Sequence, residues 1–167
     1  VYGVPKDKLL CLTLGYKKVE FFPTQKESMS SLKLPSKNYF LFIGNITKYQ
    51  GLQYIISAMR DNISILKEKK IELIILGDGP YKKNIEEMVK EFNLSRYVRF
   101  LDRVEKETLN KYLSIGAVGL SPFDKNRGFE NSISGLKTYD YLFYKMPILT
   151  SKMDDANSFI EKNGLGK

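Results

Sequence analysis

Two hydrophobic periods alternate along this chain, and few folds can accept that alternation. Tyr39-Phe40-Leu41-Phe42-Ile43 is a short apolar run with aromatic and β-branched members, which reads as a buried strand. A glycine-bearing turn follows from Gly44 to Gly51. Leu52, Ile55, Ile56, Met59, Ile63 and Leu66 then recur at helical spacing, predicting one amphipathic helix. The pattern recurs down the chain. Residues 71–76 predict a strand ending in Gly77-Asp78-Gly79-Pro80. Ile85, Met88, Val89 and Phe92 mark a helix that Asp78 or Gly79 can cap, with Pro80 in its first turn. Strands are predicted over 97–101, 116–121 and 147–150, and helices over 105–113, 135–144 and from 156 to 162. Strand and helix alternating at roughly 25–30 residues per unit predict an α/β, Rossmann-like, doubly wound parallel sheet with helices on both faces.

In such a sheet the turns leaving the strands gather on one edge, where ligands bind. The turns here are 44–50, 77–80, 102–104 and 122–135. A helix starting at that edge directs free backbone N–H groups toward it, which suits a phosphate. Lys137 and Asp140 lie three residues apart, on one face of the helix predicted over 135–144. Tyr139, Leu142 and Phe143 are expected to pack inward from the other side. A cation and an acid there suit a nucleoside diphosphate, with Lys137 on phosphate and Asp140 on the ribose hydroxyls. The same spacing also suits an ordinary surface ion pair.

Composition removes several chemistries. The chain has 167 residues, enough for one domain with a core, and 43% are hydrophobic, which argues against disorder. No apolar run approaches the roughly 20 residues that span a bilayer. There is no His and a single cysteine, Cys11, so His-based triads and His/Cys metal sites are excluded. Cys11 lies in an apolar run and reads as a buried structural thiol. The net charge of +8 is compatible with a phosphorylated ligand, an anionic membrane surface or nucleic acid. The lysines are scattered, however, and no nucleic-acid motif accompanies them. Asp154-Asp155 lacks an acid-x-acid metal pattern. The tyrosines near 139–144 read as core and interface. Residues 1–37 read as an interdomain linker and lead-in segment, with a strand within 9–14 and a polar stretch over 24–31. Residues 38–167 read as the domain proper. The opening Val1-Tyr2-Gly3 carries no initiator Met, so the chain reads as a piece of a longer protein.

Several motifs stand in register: Phe42-Ile43-Gly44, Gln50-Gly51-Leu52, Leu76-Gly77-Asp78-Gly79-Pro80, Val98-Arg99-Phe100-Leu101, and Lys137-Thr138-Tyr139-Asp140-Tyr141-Leu142 with Met146-Pro147-Ile148-Leu149. Together they resemble the carboxyl-terminal, donor-binding half of GT-B-fold retaining glycosyltransferases (glycosyl transferases group 1). Tyr2-Gly3-Val4-Pro5, Gly15 and Phe22-Pro23 resemble the segment joining the two halves of that fold. The resemblance implies a nucleotide-diphosphate-sugar as substrate, no cofactor and no metal. It implies transfer to a saccharide or lipid-linked acceptor in polysaccharide or glycolipid biosynthesis. The partner would be an amino-terminal acceptor-binding domain of the same chain. It also implies a cytoplasmic location, with peripheral membrane contact in the full-length protein. This half alone is then expected to bind nucleotide and transfer nothing.

Residue by residue, the resemblance puts Gly44, Asn45, Gln50, Gly77, Arg103, Val104, Lys137 and Asp140 on the donor. Arg103 and Val104 would offer backbone groups to the base, and Lys137 would serve catalysis by stabilising the leaving diphosphate. The family's sugar-contacting acid falls on Ser132 here, with Glu130 close enough to substitute as the catalytic acid. Many relatives carry an Arg at the position of Asn45 and a Lys at that of Gln50, both on the diphosphate. Charged hydrogen bonds contribute about 1.5–3 kcal/mol each, so the loss of two must be met otherwise: by Lys137, helix N-termini, Lys48 or Arg127. A non-catalytic nucleotide-binding module with a degenerate donor site is the alternative. A sugar-nucleotide epimerase shares the architecture, but typically relies on His, which this chain lacks.

Overall fold

The computed structural model describes residues 22–35, 38–124, 136–151, 162 and 164. Five parallel strands form one sheet in the order β3-β2-β1-β4-β5: β1 Asn38–Ile43, β2 Ile71–Leu76, β3 Val98–Leu101, β4 Val118–Ser121 and β5 Ile148–Thr150. From β1 the chain winds outward to β3, then crosses back to lay β4 on the other side of β1. The switch in winding therefore lies between β1 and β4. Alternation along the strands fills two cores. Leu41, Ile43, Ile74 and Leu76 face a layer made by α1 (Gln25–Ser31), α5 (Lys106–Leu113) and α6 (Leu136–Phe143). Phe42, Leu73 and Ile75 face α2 (Leu52–Asp61), α3 (Ile63–Glu68) and α4 (Lys82–Glu91). Covered on both faces, β2 reads as a nearly continuous apolar run. Its exception is Glu72, buried at the amino end of the sheet and paired with Arg99 at 2.9 Å. No helix among the described residues is long and apolar enough to cross a membrane.

Four expectations change. The stretch over 24–31 is helical rather than irregular. Thr24 and Glu27 form a capping box, with the Glu27 N–H donating to Thr24 Oγ1 at 3.2 Å and the Thr24 N–H to Glu27 Oε2 at 2.9 Å. Gln25 Nε2 then donates to the carbonyl of Ile115, tying α1 to the segment before β4. The helix expected to run from 52 through 66 is two helices. Asn62 leaves helical geometry and its Nδ2 bonds the carbonyl of Ala58 at 2.8 Å, the local side-chain competition that ends helices. The helix after β2 starts at Lys82, without the Asp78 or Gly79 cap. Asp78 Oδ1 instead accepts the N–H of Gly79, and the Tyr81 N–H goes to the carbonyl of Ile46 in a neighbouring turn. Finally, α6 buries Lys137, Thr138 and Tyr141, while Tyr139 and Phe143 are only half-buried; Leu142, also half-buried, does pack against the core. The inward face is the one bearing the lysine. The predicted strand within 9–14, Cys11, Asp154-Asp155 and all of the helix predicted from 156 except Lys162, which is helical, lie outside the described residues.

Candidate functional site

The turns leaving β1 and β2 are zipped together by their backbones. The Gly44 N–H donates to the carbonyl of Leu76 and the Ile46 N–H to that of Asp78, while the Gly77 N–H ties the second turn to the end of β3 at the Leu101 carbonyl. This closeness dictates the glycine at position 77. A Cβ there would stand 2.0 Å from the Gly44 carbonyl oxygen, and its φ of +142° is one that side chains rarely adopt. The turns wall a cleft of about 330 Å³ at the carboxyl edge, lined by Gly44, Asn45, Gly77, Asp78, Arg103 and Val104 among others. Lys82 Nζ and Asp102 Oδ1 are paired at 2.5 Å, joining the start of α4 to the turn after β3, and Asp102 also lines the cleft. That hydrogen bond raises the Lys82 pKa above its ordinary value.

Beside the cleft, across β1, stands a second group. Lys137 is 6% exposed. Its ammonium donates to Gln50 Oε1 and lies 4.1 Å from the centre of the Phe42 ring and 5.2 Å from that of Phe123. Phe42 belongs to the core under α2 and α4, whereas α6 packs on the opposite face. Lys137 therefore reaches across the end of the sheet at the gap between β1 and β4. Such burial demands compensation for a cation, and one carboxamide and two ring faces supply part of it. Gln50 is set by the 3-10 turn Lys48–Gln50, and the next turn is bound to it: the Asp124 N–H donates to the carbonyl of Tyr49 at 3.0 Å. Asp124, itself buried, accepts from the Tyr54 hydroxyl at 2.9 Å, which raises that hydroxyl's pKa.

The structure thus sets Gly44, Asn45, Gly77, Arg103 and Val104 around the cleft, and Gln50 and Lys137 beside one another at the same edge. Asp140 follows Lys137 one turn later on α6 and is half-buried; its carboxylate adds to the upward pKa shift that burial imposes on the Tyr144 hydroxyl. Glu130, Ser132 and Arg127 lie outside the described residues. Sequence reasoning missed four participants. Phe42 was read as core, yet its ring also underlies the ammonium. Phe123 and Asp124 sit in a turn whose contacts arise only on folding. Asp102 was seen only as part of a turn.

The family described as Glycosyl transferases group 1 matches residues 24–166. A probable glycosyltransferase of Pseudomonas aeruginosa, WbjE, is 26% identical over 156 residues, spanning 88% of this chain and 36% of that protein. The chain thus spans about a third of the length of that curated relative. Among solved structures, WaaG, a glycosyltransferase involved in lipopolysaccharide biosynthesis, superposes with a TM-score of 0.71 at 16% identity, covering 89% of this chain and 38% of that one. A TarM variant of S. aureus, solved with UDP and alpha-GlcNAc-glycerol, gives a TM-score of 0.58 at 16% identity, over 87% of this chain and 25% of that one. At these identities the two structures share the fold.

Proposed function

The chain belongs to the group 1 glycosyl transferases, and from that premise we propose that it is the donor-binding domain of a retaining glycosyltransferase. Its substrate is a nucleotide-diphosphate-sugar, transferred to a saccharide or lipid-linked acceptor in glycoconjugate biosynthesis. The observation that carries this reading is the buried Lys137 ammonium at the switch between β1 and β4, beside a glycine-walled cleft. The nucleoside occupies the cleft, with backbone groups of Arg103 and Val104 toward the base and Asp140 toward the ribose. The diphosphate lies at Gly44 and Asn45, reached by Lys137. In the transition state the sugar gains oxocarbenium character as its bond to the diphosphate breaks, and negative charge builds on the departing oxygen. A fixed, poorly hydrated ammonium stabilises that charge more strongly than water does. Glu130 is assigned the acid facing the sugar. The reading calls for no metal and no cofactor. It places the protein on the cytoplasmic side, with its acceptor-binding half in the same chain and peripheral membrane contact through that half.

Calorimetric titration with UDP, GDP and their sugars tests the reading. We expect one nucleotide diphosphate to bind, and Lys137→Met to weaken it by about 10-fold or more, the worth of one charged hydrogen bond. Absence of binding by every nucleotide at millimolar concentration, in a folded protein, would reject it. A second reading is favoured by the Gln50 contact: a carboxamide holds the ammonium where many relatives offer another cation, as in a binding module with a degenerate donor site. Sugar transfer by the full-length protein, lost in Lys137→Met, decides for the enzyme.

A further inference from the structure

One turn beyond Lys137, on the same buried face of α6, stands Tyr141. Tyr141 is fully buried, and its hydroxyl sits between β1 and β4. It accepts the N–H of Ile43 at 3.1 Å and lies 3.0 Å from the carbonyl of Leu41 and 3.2 Å from that of Leu120, to which its one proton can be donated. Those are ladder groups. β1 and β4 pair only at Phe40 with Val118 and Leu41 with Gly119, then separate. Beyond that point the phenol replaces the missing rung. The ring needs room beneath it: a Cβ on Gly119 would stand 2.5 Å from Tyr141 Cγ. Burial raises the hydroxyl's pKa far above its ordinary value.

Ile43 immediately precedes Gly44, and Lys137 precedes Tyr141 by four residues on the buried face of α6. We propose that Tyr141 is a positioning residue: by bridging the separated ends of β1 and β4, its hydroxyl sets the register of α6 against the site and keeps the Lys137 ammonium over Phe42 and against Gln50. Its consequence for the diphosphate rests on the donor-site reading above, whereas its consequence for Lys137 does not.

The test uses the full-length protein and two conservative variants. Tyr141→Phe removes only the hydroxyl. Thr138→Val removes another buried hydroxyl of α6, 3.2 Å from Ser121 Oγ, and serves as the control for general loosening. The first readout, without nucleotide, is the rate at which an amine-reactive ester acylates Lys137, followed by peptide mass spectrometry. Tyr141→Phe should raise that rate about fivefold or more by populating local opening, with Thr138→Val close to wild type. The second is the ratio of affinities for UDP over UMP, and GDP over GMP. Tyr141→Phe should lower the ratio about tenfold while monophosphate binding is unchanged, because only the diphosphate arm depends on Lys137. A merely structural tyrosine would weaken both ligands alike. An unchanged acylation rate in Tyr141→Phe, or an equal rise in Thr138→Val, overturns the proposal. So does a preserved diphosphate ratio in a variant whose Lys137 has become reactive. If the wild type binds no nucleotide, the donor-site reading fails, and the acylation contrast still decides for or against Tyr141.

Discussion

The two sides of β1 are built differently. Toward β2 the ladder is continuous: six register pairs run from Asn38 with Ile71 to Ile43 with Leu76, and the bonding continues into both turns. Toward β4 only two pairs form before the strands part, and a tyrosine hydroxyl takes the freed groups. The first side makes a rigid wall in which backbone meets backbone. The second makes an opening that side chains fill, with Lys137 at its mouth. The candidate site draws on both. The wall supplies close backbone approach, and the opening admits a long side chain from the opposite layer.

The contrast can be tested by filling each side in turn. The largest effect should come on the wall. Gly77→Ala sets a Cβ 2.0 Å from the Gly44 carbonyl oxygen at a φ that disfavours side chains, and backbone cannot yield there as a side chain can. We expect a loss of about 3 kcal/mol or more by chemical denaturation, with nucleotide binding abolished. A variant of wild-type stability would show that the two turns are not rigidly abutted. Gly119→Ala, on the open side, meets the Tyr141 ring at 2.5–2.8 Å. Overpacking of this kind costs about 1–3 kcal/mol, less than the wall because the ring can tilt. Equal losses in the two variants would erase the distinction drawn here.

The smallest effect should be at the rim. Lys82→Met removes the pair with Asp102, whose side chain is 82% exposed, so we expect under about 1 kcal/mol, reduced further by salt. Its pH dependence has a definite sign. The Asp102 hydrogen bond raises the folded-state pKa of Lys82, so the contribution is full below the unfolded value of about 10.4 and disappears as pH rises through the folded one. The difference between wild type and Lys82→Met should therefore be the same at pH 6 and pH 8, and shrink only in strong alkali. A difference that grew with pH would contradict the pairing.

The order of the five strands and of most helices was legible because it depends on local period, and periods survive in the linear chain. The glycines at 44 and 77 were legible for the same reason. Part of what was misread depended on contacts between elements. Asp78 has the chemistry of a helix cap, but the neighbouring turn claims the Tyr81 N–H through the Ile46 carbonyl and the helix starts later. Tyr139 and Phe143 have the hydrophobicity of an inward face, yet α6 buries Tyr141 and Lys137, with Leu142 partly covered against the same core. The Thr24-x-x-Glu27 capping box was present in the sequence and passed over in a polar stretch.

Pattern along the chain was sufficient to set a doubly wound sheet and the edge at which its turns collect, since burying alternate faces leaves a parallel sheet few other solutions. It could not set the separation of β1 from β4, the phenol that bridges it, or the burial of Lys137. Those depend on which side chain arrives at a gap left between two strands. That is decided by fitting the layers together, where Gly119, having no side chain of its own, leaves room for the ring of Tyr141.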